Sequence, residues 1–239
     1  MKPAERKFSR EGMHRLVPSH ENGEAGVLKE ICDDDAMLAE IVLLAGATND
    51  RIQGERQGLS GISSIELVYG IPNAEIARAA FLHASPFGSR FNDASRGAWY
   101  CAESLETALA EVIDRKARNL AEIVVPEMPG RQPDEEISGY DDWQADFHST
   151  FHVLHPVEDF AECLRAEPVP ACYAASQQLA QQLMNRQSNG ILYPSVRQKD
   201  GICLACFRPP LVCAPRLSAR YEVRLELAGA EYEIFVRES

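Results

Sequence analysis

Three residue types stand close together in GSRFNDASRGAWYCAESLETALAEV: an arginine at 90, a tyrosine at 100 and a glutamate at 111. An arginine offers a planar fork of donors that matches a diphosphate. A tyrosine ring stacks on a flat cationic heterocycle. A carboxylate stabilises positive charge developing at a sugar carbon as a glycosidic bond breaks. Two more arginines stand nearby, Arg78 upstream of the segment and Arg96 within it. Between 76 and 100, three arginines stand against one acid, Asp93.

The glutamate needs a helix to hold it. Ser104 is a good N-cap, and Leu105, Ala108, Leu109, Val112 and Ile113 follow it as an apolar stripe. At about 100° per residue, Glu111 lies roughly 60° from Ala108, at the stripe's edge. A carboxylate there either reaches out to water or points into a cleft floored by the core. The other two residues also carry a plainer reading each: Arg90 as a structural ion-pair partner, Tyr100 as core.

The rest of the composition narrows the class of ligand. The chain has 239 residues and a formal net charge of −12, which argues against sequence-independent nucleic-acid binding. Seven acids against one arginine between 127 and 146 carry half of that charge. A local basic segment in an acidic chain suggests a small anionic ligand, not a polyanion. No apolar run is long enough to span a membrane, and the N-terminal stretch lacks the apolar core of a signal sequence, so the expected location is the cytoplasm. The seven cysteines are scattered and mostly among apolar neighbours, which reads as reduced, buried thiols. Cys203 and Cys206 form a CxxC without a second pair at zinc-ribbon spacing, so no metal is expected there. His148, His152 and His155 would share a face on a helix, but Phe147, Phe151 and Val153 alternate equally well as a strand.

Along the chain, 34–47 reads as a short helix and 53–73 as loop with one strand around 65–69. ARAAFLHA, GSRF and AWYCA read as short buried strands. The segment 126–142 reads as an exposed loop. A second helix is expected over 173–186, ended by Asn189-Gly190, with ILYPSV and ICLACF as buried strands. The tail alternates apolar and charged residues on both sides of AGA, a hairpin signature. Strands and helices lack a regular βαβ rhythm, so the expected class is α+β (mixed α/β) with largely antiparallel sheets.

The segment around Arg90 and Glu111, with YAASQQLAQQL and GILYPSVRQKDGICLACFRP, strongly resembles the RES-domain family over roughly residues 60 to 215. That resemblance implies an ADP-ribosyltransferase-like fold, with split sheets surrounded by helices, and NAD as the substrate. A diphosphate, a cationic ring and a ribosyl carbon are the three things the opening residues suit. By the resemblance Arg90 holds the NAD phosphates, Tyr100 packs on nicotinamide and Glu111 steadies the cationic transition state. Ser195 matches the family serine, although after Pro194 it also suits a turn. Ser176 or Gln177 supplies a second polar position, and Arg78 and Arg96 are further candidates for phosphate binding.

The resemblance implies NAD glycohydrolase or phosphorylase activity in the toxin of a toxin–antitoxin pair. The partner would be an Xre-like helix-turn-helix antitoxin, and a homo-oligomer is possible. Two rivals remain at this point: protein ADP-ribosylation from the same site, and a non-catalytic binding module. The expected organisation is one globular unit, with 1–55 as an N-terminal extension packed on a core of 56–239.

Overall fold

The computed structural model describes residues 2–19, 61–82, 84–85, 87–122, 135–228 and 231–238. The expected helix at 34–47, Cys32, most of the N-terminal extension and the first part of the acid-rich segment lie outside them.

Among the described residues, seven strands form one sheet. They are β1 (Ala4–Pro18), β2 (Trp99–Ala102), β3 (Glu135–Val153), β4 (Gly190–Pro194), β5 (Ile202–Cys206), β6 (Cys213–Ala228) and β7 (Glu231–Glu238). The order is β1-β2-β5-β4-β3-β6-β7, and β1 pairs with β3 as well, so the first five strands close on themselves. Every pairing is antiparallel except the short β3–β4 contact. With helices α1 (Ala74–Leu82), α2 (Leu105–Glu122) and α3 (Ala174–Met184), this is the α+β class with largely antiparallel sheets read from the sequence. No helix among the described residues is long and apolar enough to cross a membrane.

The central strands are buried on both faces, and alternation sorts their side chains. Tyr100, Ala102, Tyr193, Cys203 and Ala205 are register partners along β2, β5 and β4 and share one face. Except for Tyr100, which packs against them, they join a core with Ala108 and Ile113 of α2 and Ala180 and Leu183 of α3. Trp99, Cys101, Leu204 and Cys206 point the other way, into a second core with Ala77, Ala80 and Phe81 of α1. Helix α2 begins where Ser104 predicts: its Oγ accepts the Thr107 N–H at 3.2 Å, satisfying a donor that the first turn leaves open.

Several local expectations are corrected. The stretch 65–69 is no strand: a 3-10 turn spans Ser64–Glu66 and Ile65 is 93% exposed. ARAAFLHA belongs mainly to helix α1, where Ala74, Ala77, Ala80 and Phe81 are buried at helical spacing and alanine favours the helix. GSRF is a turn closed by a bridge between Ser89 and Asn92. Gly88 permits it at φ +69°, where an added Cβ would meet the Asn92 carbonyl oxygen at 2.2 Å.

The acid-rich segment, expected as loop to residue 142, is strand from Glu135 onward. Its described acids, from Glu135 onward, have cationic or histidine partners. Glu135 meets Arg224 at 2.9 Å, Glu136 meets Lys116 at 2.7 Å, and Asp142 meets His14 at 2.9 Å. The histidines do not share a helical face, because His148 and His152 lie on β3 and His155 follows it. His152 is buried, with Nδ1 2.8 Å from the Ser188 hydroxyl.

Replacing Ser104 by alanine removes the cap of α2. We expect a loss of about 1 kcal/mol in urea denaturation, and an unchanged midpoint would contradict the capping role.

Candidate active site

A short contact between chemistry-bearing side chains joins helix α2 to the end of β4. Ser195 follows Pro194, the last residue of β4, and its N–H donates to the Gly201 carbonyl at 2.7 Å. The Ser195 hydroxyl accepts the N–H groups of Arg197 at 3.1 Å and Gln198 at 3.0 Å. It then donates to Glu111 Oε1 at 2.6 Å. A hydroxyl so employed has one orientation, and it fixes the carboxylate in turn. Arg197 adds a second tie, Nε to Asp114 Oδ2 at 2.8 Å, one helical turn beyond Glu111.

Tyr100 and Arg90 come from the other side. The Tyr100 hydroxyl donates to Asn92 Oδ1 and accepts the Phe91 N–H, both at 2.8 Å. Its polar head is therefore held by the turn that carries Arg90, and its remaining chemistry is that of the ring. Burial raises the phenol's pKa, against the Phe91 N–H and the charge of Arg115. Arg90 is 7% exposed. Its Nη1 donates to the carbonyls of Cys163 at 3.1 Å and Arg165 at 2.8 Å, and its guanidinium lies over the Tyr173 ring at 5.3 Å. The plainer reading of an ion-pair partner does not describe it, since these partners are carbonyls and a ring.

Two buried residues, Tyr193 and Cys203, lie within electrostatic reach of these side chains. Burial holds the Tyr193 phenol well above its ordinary pKa, with Cys203, Glu111 and Tyr100 adding to the shift and Arg90 opposing it. Burial likewise raises the Cys203 thiol, with Glu111 adding to it, while Tyr193, Ser195 and Arg90 oppose. Arg90, Tyr100 and Glu111 are thus all within electrostatic reach of one buried hydroxyl. The Phe91 ring packs edge-on against Tyr193 at 4.7 Å and ties the arginine turn to the same place.

The other candidates lie elsewhere or, like Arg90, have structural partners. Arg78 donates to the Val68 carbonyl at 3.2 Å and sits over Tyr69. Arg96 donates to the Phe207 carbonyl at 2.7 Å and to Glu66 at 3.2 Å. It lines a separate cavity of about 200 Å³ with Glu66, Arg208, Gln181, Asn185 and Gln187. Ser176 is fully buried and donates to the Tyr173 carbonyl at 3.0 Å. Gln177 is better placed: its Nε2 lies 3.0–3.1 Å from the carbonyls of Phe87, Ser89 and Asn92. Three carbonyls on one amide pin the Arg90 turn to α3, so Gln177 positions the arginine. No group of His, Cys, Asp and Glu among the described residues is arranged to hold a metal ion.

Sequence reading missed Tyr193, Cys203, Asn92 and the Asp114–Arg197 pair. Two carried a signal. Tyr193 and Ser195 alternate in ILYPSV, and Asp114 lies three residues after Glu111 on a helix, hence on a neighbouring face.

A family model described as the RES domain matches residues 67–226, more than half of the chain. The chain belongs to the RES-domain family. Arg90, Tyr100, Glu111 and Ser195 all fall inside the RES match, whereas β1 and β7 fall outside it. No curated protein matches the chain. Among solved structures, the M. tuberculosis MbcT–MbcA toxin–antitoxin complex is similar at a TM-score of 0.45 and 14% identity, over 90% of this chain and 84% of that one.

Burial of thiols in the two cores has a pH signature. The thiols of Cys101, Cys203 and Cys206 are all raised by burial, Cys206 to about 12. A folded pKa above the unfolded one gives stability that is fully present below the unfolded thiol value of about 8.5 and is lost as pH rises beyond it. Urea midpoints across a pH series are expected to fall above about pH 8.5, with Cys213, which is exposed, alkylated before the buried three. A midpoint that is flat or rises there would contradict this.

Proposed function

We propose that this RES-domain chain binds NAD and breaks the bond between nicotinamide and ribose, acting as the toxin of a toxin–antitoxin pair. The observation that carries the reading is the Ser195–Glu111 hydrogen bond of 2.6 Å, with Glu111, Arg90 and Tyr100 all within electrostatic reach of Tyr193. Membership of a family that includes NAD-degrading toxins supports it.

The roles follow from the chemistry of each group. The N-glycosidic bond lengthens as nicotinamide leaves with the bonding electron pair, and positive charge grows on the ribosyl carbon. Glu111 stabilises that charge. Because Ser195 already orients its carboxylate, little reorganisation remains to be done as the charge develops. Tyr100, its hydroxyl occupied, offers its ring to the departing heterocycle. Arg90 offers the guanidinium nitrogens beyond Nη1 to the diphosphate. Attack by water then gives ADP-ribose and a proton, and attack by phosphate gives the corresponding ADP-ribose phosphate. The partner that silences the activity would be a helix-turn-helix antitoxin, as the family resemblance implies.

Incubation of the purified chain with NAD, followed by chromatography of the products, tests the reading. We expect free nicotinamide, and a loss of about a thousandfold in its release on Glu111→Gln, the size of a key electrostatic contribution to a transition state. Ser195→Ala should lose about tenfold, the size of one hydrogen bond to a charged group. Full turnover by a folded Glu111→Gln chain would remove the glutamate from the chemistry. An inactive parent chain would remove the proposal.

A further inference from the structure

Strand β7 has β6 on one side and no described strand on the other. Apart from its charged side chains, it lacks the usual protections of a sheet edge. EYEIFVRE contains no lysine or proline, and its register with β6 runs without a bulge from Tyr221 opposite Glu238 to Ala228 opposite Glu231. At its centre Ile234 is 51% exposed, Phe235 48% and Val236 40%. Ile234 and Val236 share a face with their register partners Leu225 and Val223, which are 1% and 3% exposed. The buried face of the sheet thus continues outward onto a strand that leaves it uncovered.

The charges on the other face are unevenly matched. Arg237 pairs with Glu222 across the hairpin at 2.9 Å. Glu233 instead stands opposite another acid, Glu226, which Arg224 already holds at 3.2 Å. Among the described residues no cation pairs with Glu233. Like charges directly opposite one another destabilise a strand pair.

We infer that β7 is a self-association edge, and that its occupant is β7 of a second copy of this chain, antiparallel about a two-fold axis at Phe235. Such an axis, perpendicular to the sheet, keeps each side chain on its own face. It sets Glu233 against Arg237 of the second copy and Arg237 against that copy's Glu233, so the unmatched acid gains its cation twice. It also sets Ile234 against Val236 on the apolar face, again twice, and pairs the two Phe235 rings. Centring the axis on Ile234 puts Glu233 opposite Phe235, and centring it on Val236 puts Phe235 opposite Arg237. Only the Phe235 register matches charge with charge and aliphatic with aliphatic. The strand lies outside the RES match, so the edge is an addition to the domain and is separable from its chemistry.

Sedimentation equilibrium over a concentration series tests this, with circular dichroism and a thermal midpoint to establish folding. The full chain is expected to form a dimer. Glu233→Arg, which replaces two attractive pairs by two repulsive ones, should weaken the dimer about tenfold. The exchange Glu233→Arg with Arg237→Glu should restore it. Positions 233 and 237 then face each other across the axis with their charges reversed, while the hairpin keeps one favourable and one unfavourable pair with β6. Ile234→Lys, at a half-exposed position, should abolish dimerisation with the fold intact. A chain that stays monomeric at every concentration overturns the inference and leaves the edge to a different partner. So does a dimer indifferent to Glu233→Arg, or one that the exchange does not rescue.

Discussion

One hydrogen bond, from the Ser195 hydroxyl to Glu111, joins the two halves of the candidate site, and it exists only because of what lies around it. Glu111 stands on a helix whose start is fixed by Ser104 and whose apolar stripe packs on the sheet. Ser195 stands where β4 ends, on a loop folded back by its own hydroxyl and by the Gly201 carbonyl. The Arg197–Asp114 contact at 2.8 Å is the second rivet between loop and helix. Two ties a turn apart resist rotation where one would act as a hinge. A carboxylate held this way would be preorganised for the charge that the proposed reaction develops, which is where electrostatic stabilisation is most effective.

The sheet supplies the other constraint. Because β2, β5 and β4 are covered on both faces, a one-residue slip would carry Tyr100, Cys203 and Tyr193 into the α1 core and break the arrangement. β1 lies outside the family match, yet it bonds to β2 and β3 and closes the strand order around the site. The strand order around the candidate site is therefore closed by residues outside the family match.

Much of this was legible in the sequence where local chemistry decides the outcome. The cap and stripe of α2, the strands around Tyr100 and in ILYPSV and ICLACF, and the C-terminal hairpin all follow from spacing and turn residues. The α+β class followed from the same elements. What misled was short apolar runs. ARAAFLHA is apolar enough for either state, and its three-residue spacing, not its hydrophobicity, marks α1. The acid-rich stretch looked solvated because the cations that neutralise it are remote in sequence, Lys116 and Arg224 among them.

The arginines show the same limit. Arg78, Arg90 and Arg96 are close in sequence, but the turn at Gly88 and the helix before it send them apart. Arg90 meets the carbonyls of 163 and 165, far along the chain, and Arg96 meets Glu66 and Phe207. Which of the three stands with Glu111 is a property of tertiary structure. A crystal structure of the Glu111→Gln chain with NAD tests the account most directly. Nicotinamide should lie against the Tyr100 ring, with the ribosyl carbon beside position 111 and the diphosphate at Arg90. NAD bound instead in the Arg96–Arg208 cavity, away from Tyr100, would contradict it.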